Sequence, residues 1–217
     1  MAHASAAVAK LDTSTGLDHR KLLMWLFLAS ECLFFGGLIG TYLLYRSRMA
    51  VPCENGVAGS CVFPVDWTVN GVTYEGIFDI PFTSISAFVL LMSSVSMVLA
   101  LSAIQRDNRR GARLWLLCTA LLGMVFLAGQ AFEFTQFHRQ GLSLSTNLFG
   151  TTFFVLTGFH GAHVSVGVLI LLSLFVMALR GRLTQANSLN VELAGLYWHF
   201  VDIVFVVIFT LVYLIQT

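Results

Sequence analysis

Two histidines lie in a stretch where ionisable side chains are otherwise absent. His160 and His163 are three residues apart, inside the range 140–179, which contains no Asp, Glu, Lys or Arg. On a helix, residues three apart project from the same face. Gly158 and Gly161 leave the backbone beside these imidazoles bare, so another helix can approach closely. The pattern predicts two imidazoles that face protein, because polar groups in an apolar environment need hydrogen-bond partners.

Acidic residues occur in two further apolar stretches. Glu31 follows Lys21 by ten residues, which on a helix is about 15 Å along the axis. An unpaired charge at that depth in a bilayer costs on the order of 2.5–3.5 kcal/mol. Glu31 is therefore either a carboxyl that is accessible to protons or faces a bound lipid or partner, or a carboxyl whose hydrogen bond locks two helices together. His199 and Asp202 share a face at three-residue spacing in the last apolar stretch.

Gln130 and Glu133 also share one helical face. We expect Glu133 to pair with one of the two neighbouring imidazoles, His160 or His163, in an outer polar layer. Glu31 is then expected to join His199 and Asp202 in a second, inner layer, since their depths are similar. This arrangement is a hypothesis about depth alone.

Imidazoles and carboxylates are also suitable metal ligands. Two histidines can ligate one haem only when they lie at matching depth on facing helices. His199 is about six residues into its apolar stretch, whereas His160 and His163 are roughly seventeen to twenty residues from the same side. This mismatch argues against a shared site, so we expect hydrogen-bonded structural histidines and no metal or haem in this chain.

The composition indicates an integral membrane protein. The chain has 217 residues, of which 57% are hydrophobic and 11% are charged, and its mean hydropathy is +0.82. A soluble domain would carry roughly a quarter charged residues. The net charge of +1 gives no indication of a nucleic-acid partner. The first apolar stretch is too long for a signal peptide, so we interpret it as a membrane span.

The sequence predicts an all-α fold, a bundle of five transmembrane helices that forms one membrane domain over residues 22–217, after an N-terminal segment 1–21. A helix needs about 20 apolar residues to cross a bilayer. Five stretches qualify, at roughly 22–45, 82–104, 114–134, 148–179 and 193–215. Nine of the twelve Lys and Arg residues lie on one side of such a bundle and three on the other. The excess of basic residues predicts a cytoplasmic N-terminus and a periplasmic C-terminus.

The connection 46–80 is expected to be a periplasmic loop. Asn70-Gly71 between two short β-prone runs predicts a hairpin with a type I′ turn. Cys53 and Cys61 in the same loop are either a disulfide or two free thiols. Within the first span, Gly36 and Gly40 are four residues apart and predict a helix-packing face.

Four motifs together resemble subunit III of the haem–copper terminal oxidases. They occur in the family's order on four of the five spans, and the resemblance covers the chain from about Lys21 onward. The motifs are Ser30-Glu31-Cys32-Leu33-Phe34-Phe35, Gln130-Ala131-Phe132-Glu133-Phe134, Thr157-Gly158-Phe159-His160-Gly161-Ala162-His163-Val164 and Tyr197-Trp198-His199-Phe200-Val201-Asp202. Two features differ. The chain has five predicted helices, like the bacterial versions, where the common form has seven, and Phe205 stands where many members have tryptophan.

The resemblance implies a role that composition does not show. It implies an accessory subunit in a bacterial inner membrane that binds no haem or copper itself, since those belong to partner subunits. Such a subunit packs on subunit I, assembles with subunit II and other respiratory subunits, holds phospholipid, and supports proton uptake and oxygen access. Glu31 falls at the family's intramembrane carboxyl and would be a supporting group.

Two other classes of function remain open at this point. One is a stand-alone small transporter or proton channel that uses Glu31 and Asp202. Transporters usually carry inverted repeats and broken helices, and neither pattern is evident in the sequence. The other is a b-type haem anchor that uses the histidines.

Overall fold

The part of the chain that the structure describes folds mainly into five long helices. A computed structural model describes residues 18–46, 67–69, 72–74, 80–139 and 148–214. The helices are α1 (His19–Arg46), α2 (Ile80–Gln105), α3 (Arg109–Arg139), α4 (Leu148–Leu179) and α5 (Ser188–Phe209). Each belongs to a segment long and apolar enough to cross a bilayer. The predicted five-helix membrane fold is thereby confirmed.

The ends of α5 depart from regular α-helix. A short 3-10 helix, Gln185–Asn187, precedes it, and a π-helical turn, Thr210–Leu214, follows it. A π-turn contains one more residue per turn than an α-helix and so changes the direction of the side chains that follow. Tyr213, within this turn, is buried in the bundle.

Trp198 on α5 lies at the centre of the bundle and is fully buried. Its indole Nε1 donates to Ser93 Oγ on α2 at 2.9 Å. Its ring lies against two glycines, Gly123 on α3 and Gly167 on α4, where an added Cβ would come within 2.6 and 2.8 Å of the ring. The same side chain therefore contacts three other helices, and those contacts depend on two positions without side chains.

The first helix contacts the rest of the bundle along one narrow seam. Only two of its described residues, Phe35 and Tyr42, are buried. Half-buried residues lie before Phe35 and between Phe35 and Tyr42, and continue the seam with alternating steps of three and four residues: Met24, Leu28, Glu31 and Leu38. This heptad-like spacing is typical of helices that pack lengthwise through a single stripe. The other faces of α1 are exposed.

The two short connections at one end of the bundle have the same closing geometry. After α2, Asp107 adopts φ 53° and the Asn108 backbone N–H donates to the Ala103 carbonyl. After α4, Gly181 adopts φ 70° and the next N–H reaches back to the helix in the same way. Both are Schellman-type ends, which need a residue in the left-handed region.

Charged side chains connect neighbouring helices at this same end of the bundle. Arg113 Nε on α3 donates to the carbonyl of Ala178 in the last turn of α4 at 3.0 Å. Lys21 Nζ on α1 and Glu192 Oε1 on α5 form an ion pair at 2.6 Å. Both side chains of this pair are partly exposed, so we expect it to contribute less than about 1 kcal/mol.

The loop after α1 contains the predicted hairpin. Strand β1 (Trp67–Val69) pairs antiparallel with β2 (Val72–Tyr74), with Trp67 opposite Tyr74 and Val69 opposite Val72. Only two residues, Asn70 and Gly71, separate the strands, which confirms the hairpin. The turn conformation, Cys53 and Cys61 lie outside the described residues.

Candidate functional site

Glu31 on α1 pairs with His163 on α4. Glu31 Oε2 lies 3.2 Å from His163 Nε2, and the two side chains are 19% and 18% exposed. The other ring nitrogen, Nδ1, lies 2.8 Å from the carbonyl oxygen of Phe159, one turn earlier on α4. Aromatic rings of Phe34 and Phe35 lie beside the imidazole. The carboxyl and the imidazole are thus held between two helices in a mostly apolar setting.

The two contacts of His163 fix how many protons the pair holds. A carbonyl oxygen only accepts, so Nδ1 must donate to Phe159. A neutral imidazole then has a bare Nε2, and a carboxylate facing it would place two acceptors together. The contact therefore contains one proton, either on Glu31 as a carboxylic acid or on His163 as an imidazolium. In both forms the pair has no net charge, which lowers its cost within a bilayer.

Tyr197 on α5 joins the same contact. Its hydroxyl donates to the backbone carbonyl of His163 at 3.0 Å, and its ring stacks on Phe27 of α1 with centroids 6.3 Å apart. Three helices, α1, α4 and α5, therefore meet around the Glu31–His163 pair.

His199 on α5 bonds to α2 instead. Its Nδ1 lies 2.6 Å from Ser94 Oγ. The neighbouring Ser93 hydroxyl accepts from Trp198 and donates to the Leu90 carbonyl. Two consecutive serines of α2 thus satisfy two consecutive polar side chains of α5.

Asp202 lies one turn further along α5, and 3% of it is exposed. Neither carboxyl oxygen has a hydrogen-bond partner among the described residues. A carboxyl group without such a partner is costly to bury.

Helix α3 contacts two neighbouring segments through Glu133, near its C-terminal end. Glu133 Oε1 accepts from Thr83 Oγ1 on α2 at 2.7 Å and, more weakly, from the Tyr213 hydroxyl at 3.4 Å. Tyr213 belongs to the π-helical turn, whose extra residue places its side chain toward Glu133. This contact joins α3 to α2 and to the end of α5.

Gln130 and His160 lie one turn deeper than Glu133. Gln130 Nε2 on α3 donates to the Thr157 carbonyl on α4 at 2.8 Å. His160 is 1% exposed and lies between the rings of Phe126 and Phe205. Its two nitrogens and Gln130 Oε1 have no hydrogen-bond partner among the described residues.

The predicted two-layer arrangement is wrong in its pairings. Glu31 bonds to His163 rather than lying with His199 and Asp202, and Glu133 bonds to a threonine and a tyrosine rather than to an imidazole. The error arises from the estimated depth of His163 in the bilayer. Helix α4 is about 48 Å long at 1.5 Å per residue, well beyond the ~30 Å hydrocarbon layer. Counting residues from the C-terminal end of α4 therefore placed His163 at the wrong depth.

The four glycines expected at helix contacts have two different environments. A Cβ added to Gly161 would lie 2.8 Å from Gln130 Oε1, so this glycine makes room for a side chain of α3. Nothing among the described residues lies within 4 Å of the corresponding position at Gly36, Gly40 or Gly158. These three glycines do not pack against another helix in the described part of the chain.

Gly161→Val tests this close approach. We expect the new side chain to displace Gln130 and break its bond to Thr157, lowering the free energy of unfolding by about 1–3 kcal/mol. Gly158→Val, three residues earlier on the same helix, is the control, because it has the same helix propensity cost and open space around it. Unfolding by SDS, followed by circular dichroism, measures both. Equal losses in the two variants would contradict the close contact.

Several polar partners were not predicted from the sequence. Ser93-Ser94 in the middle of an apolar helix was a signal, because adjacent hydroxyls in a span often bond across helices. Thr83 and Tyr213 gave no comparable signal, since single hydroxyl groups near the ends of spans are common. The ion pair between Lys21 and Glu192 joins residues 171 positions apart, and no local pattern indicates it.

The described residues contain no group of three or more His, Cys, Asp or Glu side chains arranged to hold a metal ion. The acids and imidazoles of the spans lie at helix–helix contacts, in three different places along the bundle. The fold and these contacts define a polytopic helical membrane protein whose intramembrane polar residues join its helices.

Comparison with known proteins narrows this class. The family model of cytochrome c oxidase subunit III matches residues 6–217. Cytochrome c oxidase subunit 3 of Synechocystis sp. is 38% identical over 199 residues, which cover 91% of this chain and 76% of the relative. Quinol oxidase subunit 3 of Bacillus subtilis is 32% identical and is covered to 84% of its length, with 88% of this chain. Cytochrome c oxidase subunit 3 of Alkalihalophilus pseudofirmus is 32% identical, with 94% and 96% covered.

The chain therefore belongs to the cytochrome c oxidase subunit III family, which also includes the subunit 3 of quinol oxidases. Membership confirms the resemblance to subunit III of the haem–copper oxidases. It identifies the chain as a multi-pass membrane component of an oxidase complex, which associates with other oxidase subunits.

Proposed function

We propose that this chain is a non-haem accessory subunit of a proton-pumping haem–copper oxidase in the aerobic electron transport of a bacterial inner membrane. It contacts subunit I directly and assembles with subunit II and other respiratory subunits, which hold the haem and copper. It holds phospholipid, stabilises the catalytic subunit, and supports proton uptake and oxygen access. No step of oxygen reduction takes place on its own residues.

The observation that supports this proposal most is the open surface of α1. Gly36 and Gly40, with Cys32 one turn before them, form a strip of small residues that is exposed along α1. In membranes, strips of small residues let a second helix approach closely. Since the described chain supplies no such helix, a helix of subunit I is the partner that we place there, with phospholipid covering the neighbouring large apolar side chains.

Gly36→Leu in the intact complex tests this placement. The substitution has open space within the chain, so the five-helix bundle should fold, while the haem-containing partners should be lost on gentle detergent purification. Ala128→Leu, at an exposed small residue of α3, is the matched control and should retain them. Mass spectrometry and the Soret absorbance of the purified material measure both. If the unmodified chain is purified as a homo-oligomer without haem partners, the proposal fails and a stand-alone transporter or proton channel becomes the better explanation.

The absence of haem from this chain is part of the proposal. When the chain is separated from its partners in detergent, we expect no Soret band. A stoichiometric haem retained by the isolated polypeptide would contradict the proposal and favour a haem anchor.

The orientation is proposed from the charges at the two ends of the bundle. The end that carries Arg106, Arg109, Arg110 and Arg113 also carries the ion pair of Lys21, and we place it in the cytoplasm. A periplasm-dependent alkaline phosphatase reporter should be active when fused after Arg48 and inactive when fused after Arg110. The opposite activities would reverse the orientation.

Glu31 is proposed as a supporting carboxyl. Glu31→Ala should leave the initial rate of oxygen reduction mostly intact, because no catalytic step uses this residue, while shortening the time over which the enzyme remains active or reducing retained phospholipid. Oxygen-electrode traces and lipid analysis of the purified complex measure these effects. Immediate and complete loss of oxygen reduction in a normally assembled complex would contradict a supporting role.

A further inference from the structure

A small cavity lies where α2, α3, α4 and α5 meet, away from the Glu31–His163 pair. Its volume is ≈ 20 Å³. Its wall includes aromatic rings and the polar side chains of Thr83, Gln130, Glu133, His160 and Tyr213. Helices α2, α3 and α4 and the π-helical turn after α5 each contribute a polar side chain to it.

Two of these side chains bring buried, unpaired polar atoms to the wall. Gln130 Oε1 and both nitrogens of His160 are buried without a hydrogen-bond partner among the described residues. A neutral imidazole has one donor and one acceptor, and an amide oxygen accepts up to two hydrogen bonds. Such atoms in native proteins are nearly always paired with protein or with ordered water.

Rearrangement within the chain does not satisfy these atoms. If the Gln130 amide turned over, its oxygen would face the Thr157 carbonyl, and the present 2.8 Å hydrogen bond would be lost. The His160 ring is fixed by Phe205, which stacks on it at 5.3 Å, and by the edge contact of Phe126 at 6.0 Å. The missing partner must therefore come from outside the side chains that are in place.

We propose that this cavity is an internal hydration site, in which water bridges Gln130 Oε1 and an imidazole nitrogen of His160. A cavity needs about 10–15 Å³ to hold one water, together with two to four polar partners. The volume meets this requirement, and Glu133, Thr83 and Tyr213 supply further oxygen atoms on the outer wall. Cavities that stay dry are lined by apolar groups alone. The water would donate to the amide oxygen and exchange a second hydrogen bond with the imidazole.

Hydration would also explain why a histidine is placed between two phenylalanines. A third aromatic ring would fill the same space without a polar cost, whereas an imidazole gives the water a partner on α4. The bridging water would thereby connect α3 to α4, in addition to the direct hydrogen bond from Gln130 to Thr157.

High-resolution cryo-electron microscopy of the purified membrane complex tests the proposal directly. We expect density for a water within hydrogen-bond distance of Gln130 Oε1 and of one His160 nitrogen. The proposal fails if no such density is present in a map that resolves ordered waters elsewhere in this subunit. It also fails if His160 is bonded directly to Gln130 or Glu133.

Three variants provide a second test. Gln130→Met and His160→Phe each remove polar atoms at nearly constant shape, and Ile208→Val, also at the cavity wall, enlarges the space without removing a polar atom. We expect the water density to disappear in Gln130→Met and to remain in Ile208→Val, and the opposite pattern overturns the site. In thermal unfolding, the double variant of Gln130→Met and His160→Phe should lower the melting temperature by less than the sum of the two single decreases. Both substitutions remove the same water bridge. Additive shifts would contradict a shared water, and the map of Gln130→Met remains decisive if His160→Phe does not fold.

Discussion

Trp198→Ala is expected to lower the free energy of unfolding by about 3–5 kcal/mol, the range for removing a fully buried large side chain. The expectation rests on its position, because the indole contacts three other helices and bonds to Ser93. Truncation would leave a cavity between Gly123 and Gly167, and neither glycine has a side chain that could fill it. In a membrane, where lipid is as apolar as the protein interior, such lost packing contacts account for most of the effect.

Two controls separate packing from the loss of a tryptophan as such. Trp25→Ala on α1 removes the same side chain where it is 64% exposed, and we expect little change in stability. Trp198→Phe keeps most of the ring and removes the bond to Ser93, with an expected loss of about 1–2 kcal/mol. Far-ultraviolet circular dichroism during SDS titration measures all three variants. Similar losses for Trp25→Ala and Trp198→Ala would show that burial at the centre of the bundle is not the cause.

Removing one member of the Glu31–His163 pair should destabilise the bundle more than removing both. His163→Leu leaves a carboxyl without its partner, and Glu31→Leu leaves Nε2 of the imidazole bare. For a fully buried pair such losses are about 3–5 kcal/mol, and partial exposure of 18–19% reduces our expectation to about 2–4 kcal/mol. The double variant should recover most of this loss, since it replaces the whole polar pair with apolar side chains.

The matched control is the ion pair of Lys21 and Glu192, which connects α1 to α5. Lys21→Met, Glu192→Gln and their combination should each change the unfolding free energy by less than about 1 kcal/mol, because this pair is solvated. A double-mutant cycle for each pair, measured in the same detergent, gives the two coupling energies. If the two couplings are equal, the intramembrane pair does not act as a desolvated contact.

Hydropathy was sufficient to predict the five spans, because the length of an apolar run and the thickness of a bilayer determine which segments cross. The hairpin was predictable for a local reason, the Asn70-Gly71 dipeptide. The pairing of Glu31 with His163 was not predictable in the same way. It depends on how far α4 extends beyond the hydrocarbon layer and on how each helix is rotated about its axis, and neither quantity is encoded in a count of residues from one end.

The glycines illustrate the same difference between composition and environment. Gly36 and Gly161 both occur in motifs of small residues, and both were expected at helix contacts. Only Gly161 lies against a side chain of the described chain, Gln130. A sequence shows that a close approach is sterically permitted at such a position, whereas the identity of the approaching group depends on tertiary structure or on another subunit.

The long separation between Glu31 and its partner has a consequence for biosynthesis. His163 follows Glu31 by 132 residues, which at ordinary translation rates corresponds to roughly 7–26 s of synthesis. During that interval the first helix has entered the bilayer while the imidazole has not yet been made. The nascent helix must therefore be retained by its own leucines and phenylalanines, with the acid protonated or held by an insertion factor. Helix α1, most of whose described residues are exposed in the finished bundle, must therefore persist in the bilayer before its partner helix exists.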